Sequence, residues 1–261
     1  MPFAQTEHVE YYSFDIISDK QVVNAVFTRN GGVSPAPWAA LNMGGTVGDD
    51  PQRVAINRQR AIKAIDRAER SVFDVWQVHS KDIVCATSPR QANTAHQKAD
   101  AILTDRPEVT LFMRFADCVP IFLHDPYRKV VGLVHAGWKG TVNKIVAGAV
   151  QTMKQHYRSK PGDIIAAIGP SIGPDHYPIG QDVISWVESA FGVEAQSMLI
   201  KQGYEIKFDL WKANEYLLNE SGVKNIEVAG FCTVCHLNQW YSHRAENGNT
   251  GRFGAFIGLR G

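Results

Sequence analysis

The stretch VTLFMRFADCVPIFLHDPYRKVVGLVHAGW, residues 109–138, decides the reading of the fold. Three apolar runs follow one another in it, Val109–Phe115, Val119–His124 and Val130–His135, separated by short polar breaks. Runs this continuous suit strands that are covered on both faces. No helical period separates them, so strands come here in succession, which is the pattern of a mixed sheet.

Further runs of strand character lie at Val22–Thr28, Val72–His79, Asp163–Ile168 and Ile226–Phe231, each bounded by turn residues. Helical periods lie between them. Asp49-Asp50-Pro51 supplies a cap and a first-turn proline to a helix with Val54, Ala61, Ile62 and Ile65 on one face. Thr141 is placed to cap a helix whose stripe is Val142, Ile145, Val146, Ala149 and Met153. Gln181–Phe191 forms a third, stopped by Gly192, and Asp209 caps a fourth that ends near Gly222. With no repeat and no linker-like tract, the chain is expected to be one α+β domain over residues 1–261.

Composition narrows the function. The 261 residues are 44% hydrophobic and 20% charged, which excludes a disordered or fibrous chain. A net charge of +1 advertises neither a nucleic-acid nor an anionic-membrane surface. No apolar run is long enough to span a bilayer, and the start, MPFAQTEHVEYYSFD, lacks the basic and apolar regions of an export signal. The expectation is a cytoplasmic protein whose four cysteines are thiols, used if at all for metal binding or catalysis.

Several polar residues break the apolar pattern. Gln77-Val78-His79, Ala116-Asp117-Cys118 and His135-Ala136-Gly137-Trp138 each place a His or Cys where a strand should meet a loop. Imidazole and thiolate are zinc ligands, and three from separate segments would leave a fourth position open, as catalytic sites do. The alternative reading is two hydrogen-bonded histidines and an inert buried thiol. Cys232-Thr233-Val234-Cys235-His236 matches a haem-attachment pattern, a redox pair or half a zinc site; a partner C-x-x-C is missing, and a structural or incidental role is expected. Thr28-Arg29-Asn30-Gly31-Gly32 offers a glycine turn with a forked cation, or an ordinary hairpin turn. The glycine-proline loop 168–174 lacks the phosphate-loop pattern, and Tyr241-Ser242-His243-Arg244 groups aromatic, hydroxyl and cation in what is otherwise a plain loop.

Taken in order, T-R-x-G-G, L-N, Q-V-H, A-D-C-V-P-I, V-H-A-G-W-K-G-T, I-G-P-x-I-G-P, C-T and T-G-R resemble the laccase-domain family, first labelled multicopper polyphenol oxidases and later described as purine nucleoside phosphorylases. The resemblance runs from about Val23 to the C-terminus. It implies one α+β domain of two packed mixed β-sheets flanked by helices. It implies zinc on His79, Cys118 and His135, the trio that the loop positions had already singled out. The implied activity is phosphorolysis of adenosine, inosine and methylthioadenosine, with adenosine deamination. The implied partners are purine nucleosides and phosphate, with no nucleic acid or membrane, in a monomer or homodimer. Arg29, Asn42, Asp117, Lys139 and Arg244 fall in family motifs and are the expected substrate-binding residues, Arg29 and Lys139 for phosphate and Asp117 as proton carrier.

The chain departs from the family pattern at Ser171 and near His176, where cysteines are usual, and at the extra Cys235. Neither departure touches the expected metal ligands.

For deamination, zinc can supply hydroxide at neutral pH; for phosphorolysis, cations near phosphate and a proton donor near the base are needed. Three rival readings remain open at this point. One is a copper-loaded polyphenol oxidase, since two His and one Cys also make a trigonal copper set. Another is a binding module whose metal is closed by a fourth ligand such as His124 or His243. A metal-free Cys118–His hydrolase is a third.

Overall fold

A computed structural model describes residues 3–6, 8–17 and 21–260. Its strands are β1 (Phe3–Gln5), β2 (Glu10–Tyr12), β3 (Val22–Phe27), β4 (Val72–Asp74), β5 (Ile83–Cys85), β6 (Ala101–Thr104), β7 (Thr110–Phe115), β8 (Val119–Asp125), β9 (Val130–Ala136), β10 (Ile165–Ile168), β11 (Leu199–Gln202), β12 (Glu205–Phe208), β13 (Asn225–Val228) and β14 (Phe253–Leu259). Its helices are α1 (Pro51–Ala64), α2 (Trp138–Val142), α3 (Ile145–His156), α4 (Gln181–Phe191), α5 (Ala195–Met198) and α6 (Leu210–Glu220).

The strands form two six-stranded sheets, ordered β1-β2-β3-β14-β7-β4 and β13-β10-β8-β9-β6-β5, with β11 and β12 as a separate hairpin. Both sheets are mixed: β4–β7, β5–β6 and β10–β13 run parallel, and the other pairs antiparallel. The sheets pack face to face. Leu111, Met113, Phe115, Ala255 and Ile257 of the first meet Ile102, Phe122, Val131 and Leu133 of the second in one core.

Each sheet buries its other face under helices. Phe112 and Phe256 turn away from the inter-sheet core and pack on Ala61 and Ile62 of α1. Leu103, Ile121, Leu123 and Val134 pack on Val146, Ala149 and Met153 of α3 and on Leu217 of α6. Successive side chains of a strand point to opposite faces, so a strand covered on both sides needs apolar residues at every position. The continuous runs at 109–135 therefore report a layered helix–sheet–sheet–helix arrangement. It is an α+β single domain.

Local expectations hold unevenly. Asp50 caps α1 by accepting from the Gln52 N–H, and Asp209 caps α6 by accepting from the Lys212 N–H. The helix expected from Thr141 is instead broken: α2 starts at Gly137, and Lys144 in a left-handed conformation separates it from α3. The stripe Val142–Met153 is nonetheless buried as expected. The run Val72–His79 stops being strand at Asp74, because Arg114 reaches over to bond the Val75 carbonyl and Gln77 bonds both the N–H and C=O of Arg114 through its side chain. β14 is a central strand that the reading above leaves out, since Gly254 and Gly258 dilute its signal. A Cβ at Gly254 would stand 2.3 Å from Met43 Sδ, which is why glycine sits inside that strand.

Candidate functional site

Sheet pairing gathers the site at one end of the second sheet. In the β8–β9 ladder Pro120 pairs with His135, so the loop before Pro120 brings Cys118 beside His135. In the β6–β9 ladder Ala101 pairs with Val134, so Asp100 is carried next to His135 as well. Trp76 bridges to Lys98, which brings the irregular segment with His79 alongside. His79, Cys118 and His135 each offer one ligand atom, and these atoms lie within 4.8 Å of one another.

The trio is set by its neighbours. His135 Nδ1 lies 2.8 Å from Asp100 Oδ1, and both residues are buried. The second Asp100 oxygen accepts the N–H groups of Val78 (3.2 Å) and Ser80 (2.6 Å), which flank His79. One carboxylate thus orients His135 directly and His79 through its backbone. Gly137 lies against the sulfur: a Cβ there would be 2.8 Å from Cys118 Sγ and 3.2 Å from His79 Cδ2. His79 (φ 59) and Asp117 (φ 79) both hold left-handed backbone, costly for residues with a Cβ and typical of functional loops.

The donor set fits a zinc-class cation. Cys118 Sγ lies 3.7 Å from His79 Nε2; tetrahedral coordination at Zn–S ~2.3 Å and Zn–N ~2.0 Å sets S···N at about 3.5 Å. With Nδ1 of His135 on Asp100, its Nε2 is left for the cation, as in carboxylate–histidine–metal sets. Burial pushes the Cys118 thiol up, but the imidazoles of His135 and His79 outweigh it and bring it down to about 6. Burial pushes His135 down, but Cys118 and Asp100 outweigh it and lift the imidazole to about 9. The two shifts describe a thiolate–imidazolium pair in the metal-free site, in which Cys118 is already the ligand form and a cation would displace the His135 proton. His243 lines the adjoining cavities but is not in the donor group, and His124 sits at the far end of β8, so neither closes a fourth position among the described residues.

Two cavities, about 530 and 300 Å³, share His79, Ala116, Cys118 and His243. The larger carries Arg58, Arg114 and Arg252 in its wall, with Trp76 half-exposed beside them. Burial lowers Arg58 to about 10, helped by Arg114, so it stays charged at neutral pH. Arg252 uses only Nη1 in hydrogen bonds among the described residues, to the Thr250 and Gly251 carbonyls. The smaller cavity holds Lys139, Arg244 and Tyr177. Burial, then the Cys118 and Asp117 charges, push the Tyr177 phenol up, so it keeps its proton. Arg244 stacks over its ring at 5.0 Å.

The expected substrate residues divide. Lys139 and Arg244 line the smaller cavity. Arg29 lines neither cavity: its guanidinium bonds the Ala39 and Leu237 carbonyls, pairs with Glu246 at 3.1 Å and stacks on Tyr241. Asn42 is fully buried, and its side chain ties Gly44, Asp49 and Arg252 together behind the larger cavity. Asp117 touches the smaller cavity, but its carboxylate is committed on both oxygens, to the Thr233 hydroxyl and the Arg244 N–H, each at 2.6 Å. It ties the Thr233 turn to the Arg244 loop. Asp100, Arg58, Arg114 and Tyr177 are absent from the sequence reading, and Arg252 enters it only as the last residue of the T-G-R motif, with no role assigned. Asp100 left a signal of its own, an acid opening the apolar run 101–103.

The family model for multi-copper polyphenol oxidoreductase laccase matches residues 23–260. Purine nucleoside phosphorylase YlmD of Bacillus subtilis is 35% identical, over 93% of this chain and 90% of that protein. A purine nucleoside phosphorylase of Deinococcus radiodurans is 38% identical, over 91% and 89%. The crystal structure of YlmD from Geobacillus stearothermophilus superposes with a TM-score of 0.92 at 33% identity, covering 100% of this chain and 99% of that one.

Proposed function

The chain belongs to the multi-copper polyphenol oxidoreductase laccase family, and we propose that within it the chain is a zinc-dependent purine nucleoside phosphorylase that also deaminates adenosine. The substrates of this reading are adenosine, inosine and methylthioadenosine. The observation that carries it is a cavity in which an arginine cluster faces a Cys/His/His donor set. The names of the relatives support it.

In phosphorolysis a phosphate oxygen forms a bond to ribose C1′ while the C1′–N9 bond breaks. The bonding pair leaves with the purine, which then takes a proton. Arg252, with unused donors, binds and orients the phosphate, while Arg58 and Arg114, whose guanidinium groups are engaged by the Met43 carbonyl and by Gln77, Asp74 and Val75, add positive charge to the same wall. Trp76 offers an aromatic face on which the base stacks. Tyr177, held protonated in the adjoining smaller cavity, is our candidate to give the leaving purine its proton. Asp100 fixes the ring of His135, so the donor set needs no rearrangement when substrate arrives.

For deamination, the oxygen of water bonds to purine C6 while the C6–N bond breaks and the amino group leaves as ammonia. A zinc ion on His79, Cys118 and His135 would supply Lewis acidity and lower the pKa of water. With Asp117 committed elsewhere, His243 is the imidazole left in both cavities to carry the proton. Copper binds such donor sets more tightly than zinc. Copper in isolated protein is therefore expected to report loading, with phenol oxidation as a side activity at most.

The test is product analysis on metal-quantified protein with adenosine, with and without phosphate. Adenine and ribose 1-phosphate only with phosphate, inosine without it, and loss of both in Cys118→Ala are the expected results. Adenosine left intact by zinc-replete protein would overturn the reading.

A further inference from the structure

A second donor cluster lies outside the site described above. Asp175, His176, Cys232 and Cys235 each offer one ligand atom, all within 4.8 Å of one another. The two halves come from distant segments. The glycine-proline loop supplies Asp175 and His176, and the turn after β13 supplies the cysteines. The segments are stitched together by backbone bonds, Ser171 N–H to Phe231 O (3.1 Å) and Thr233 N–H to Ser171 O (3.0 Å). In the turn, the His236 N–H reaches back to the Cys232 carbonyl at 3.1 Å, which closes one helical turn. Residues three apart then share a side, so both sulfurs point the same way.

The focus of the cluster is one ring nitrogen. His176 Nδ1 lies 3.8 Å from Cys232 Sγ, 3.5 Å from Cys235 Sγ and 2.9 Å from Asp175 Oδ1. A single N–H can serve only one of three acceptors. A cation among them satisfies all of them, and the two S···N distances lie at and 0.3 Å above the ~3.5 Å separation of a tetrahedral zinc. The Gly173 N–H also donates to Cys232 Sγ at 3.2 Å, the kind of outer hydrogen bond that supports a thiolate ligand. His236 takes no part: its Nδ1 bonds the Cys232 carbonyl and its ring packs on Phe231.

We propose that Asp175, His176, Cys232 and Cys235 form a second, closed metal site that binds a zinc-class divalent cation and clamps the glycine-proline loop to the 232–236 turn. Two thiolates, one imidazole and one carboxylate complete a tetrahedron with no open position, so the site is structural. Its position gives it a consequence for the cavity wall. Tyr177 follows His176 directly, Ile172 bonds the Asp117 carbonyl, and Thr233 bonds the Asp117 carboxylate. The clamp therefore braces the wall of the smaller cavity from behind. It stands on its own geometry, whatever reaction the cavity supports.

The experiment is anaerobic reconstitution of reduced protein with zinc alone, followed by native mass spectrometry. The wild type is expected to hold two zinc ions per chain, Cys235→Ser one, Cys118→Ala one, and the double variant none. Cobalt-loaded Cys118→Ala should show a thiolate-to-metal charge-transfer band that Cys235→Ser abolishes in that background. Asp175→Asn, at an exposed carboxylate, should weaken the second ion's binding without disturbing folding. If Cys118→Ala fails to fold, wild type against Cys235→Ser gives the same count. A wild type that binds one ion, unchanged in Cys235→Ser, overturns the proposal. So does a reduced Cys118→Ala protein that folds and binds none.

Discussion

Asp100 holds His135 with one oxygen, at 2.8 Å, and the backbone on either side of His79 with the other. The two histidines of the donor set are therefore aligned by a single buried carboxylate. Asp100→Asn keeps the shape but changes the hydrogen-bond polarity toward Nδ1. Zinc affinity at this centre is expected to fall about 10–100-fold, read by chelator competition in the Cys235→Ser background. An unchanged affinity would show that the histidines are positioned without it.

Gly137 lets the start of α2 lie against the Cys118 sulfur. Gly137→Ala puts a methyl 2.8 Å from the Cys118 sulfur, closer than the two can stand, while its φ of −73 suits alanine. The expected result is a folded protein that has lost the first zinc. Circular dichroism near the wild-type spectrum with one fewer zinc is the signature; full zinc content would refute the steric argument.

Arg252 and Arg29 should behave oppositely. Arg252→Met is expected to raise the KM for phosphate with little change in melting temperature. Arg29→Met, which breaks the Glu246 pair and two carbonyl contacts, is expected to cost about 2 kcal/mol of stability. It should leave the phosphate KM in place. Reversal of the two outcomes would return Arg29 to the substrate.

Tyr177→Phe removes the protonated phenol and keeps its ring under Arg244. A fall in kcat of about 10²-fold is expected for loss of a general acid, with KM for nucleoside nearly unchanged. If KM rises and kcat holds, the phenol binds substrate and does not move a proton.

Asp74 governs acid stability. Its burial pushes the carboxyl up, but Arg114, Arg90 and His96 outweigh it and hold it below the usual carboxylate range. A depressed folded pKa means stability fully present above the unfolded value of ~3.9 and lost as pH falls through the folded value. Breaking a buried pair costs about 3 kcal/mol, so Asp74→Asn should be less stable than wild type by roughly that at pH 7. The gap should narrow below about pH 4, as followed by urea unfolding across pH. A gap that stays constant down to pH 2 would contradict it.

Much of this was legible in residues 109–138, where apolar runs with no polar face announced strands covered on both sides. The metal trio was legible because His79, Cys118 and His135 stand at the ends of such runs, where packing alone does not ask for them. The arginine cluster was not, because Arg58 comes from α1, Arg114 from β7 and Arg252 from the approach to β14. Only the closed sheet brings these together, and no spacing records it. Arg29 misled for the opposite reason: a cation beside two glycines reads as a ligand site, while its partners Leu237 and Glu246 lie over two hundred residues away. The second cluster was half visible as C-x-x-C, and its other half was hidden as an ordinary Asp-His pair in a distant loop.

β14 sits between β3 and β7, with Ala255 opposite both Val26 and Met113. The last strand among the described residues is therefore an interior one, and the first sheet cannot close while residues 253–259 are still unsynthesised. Until then a nascent chain carries β3 and β7 with bare, apolar edges, the kind of surface that chaperones shield and that aggregates when crowded. Assembly must wait for contacts of very high sequence separation, which makes for slow folding. A ribosome that stalls before Phe253 would leave a chain whose inter-sheet core lacks a central strand, and protein quality control should clear it.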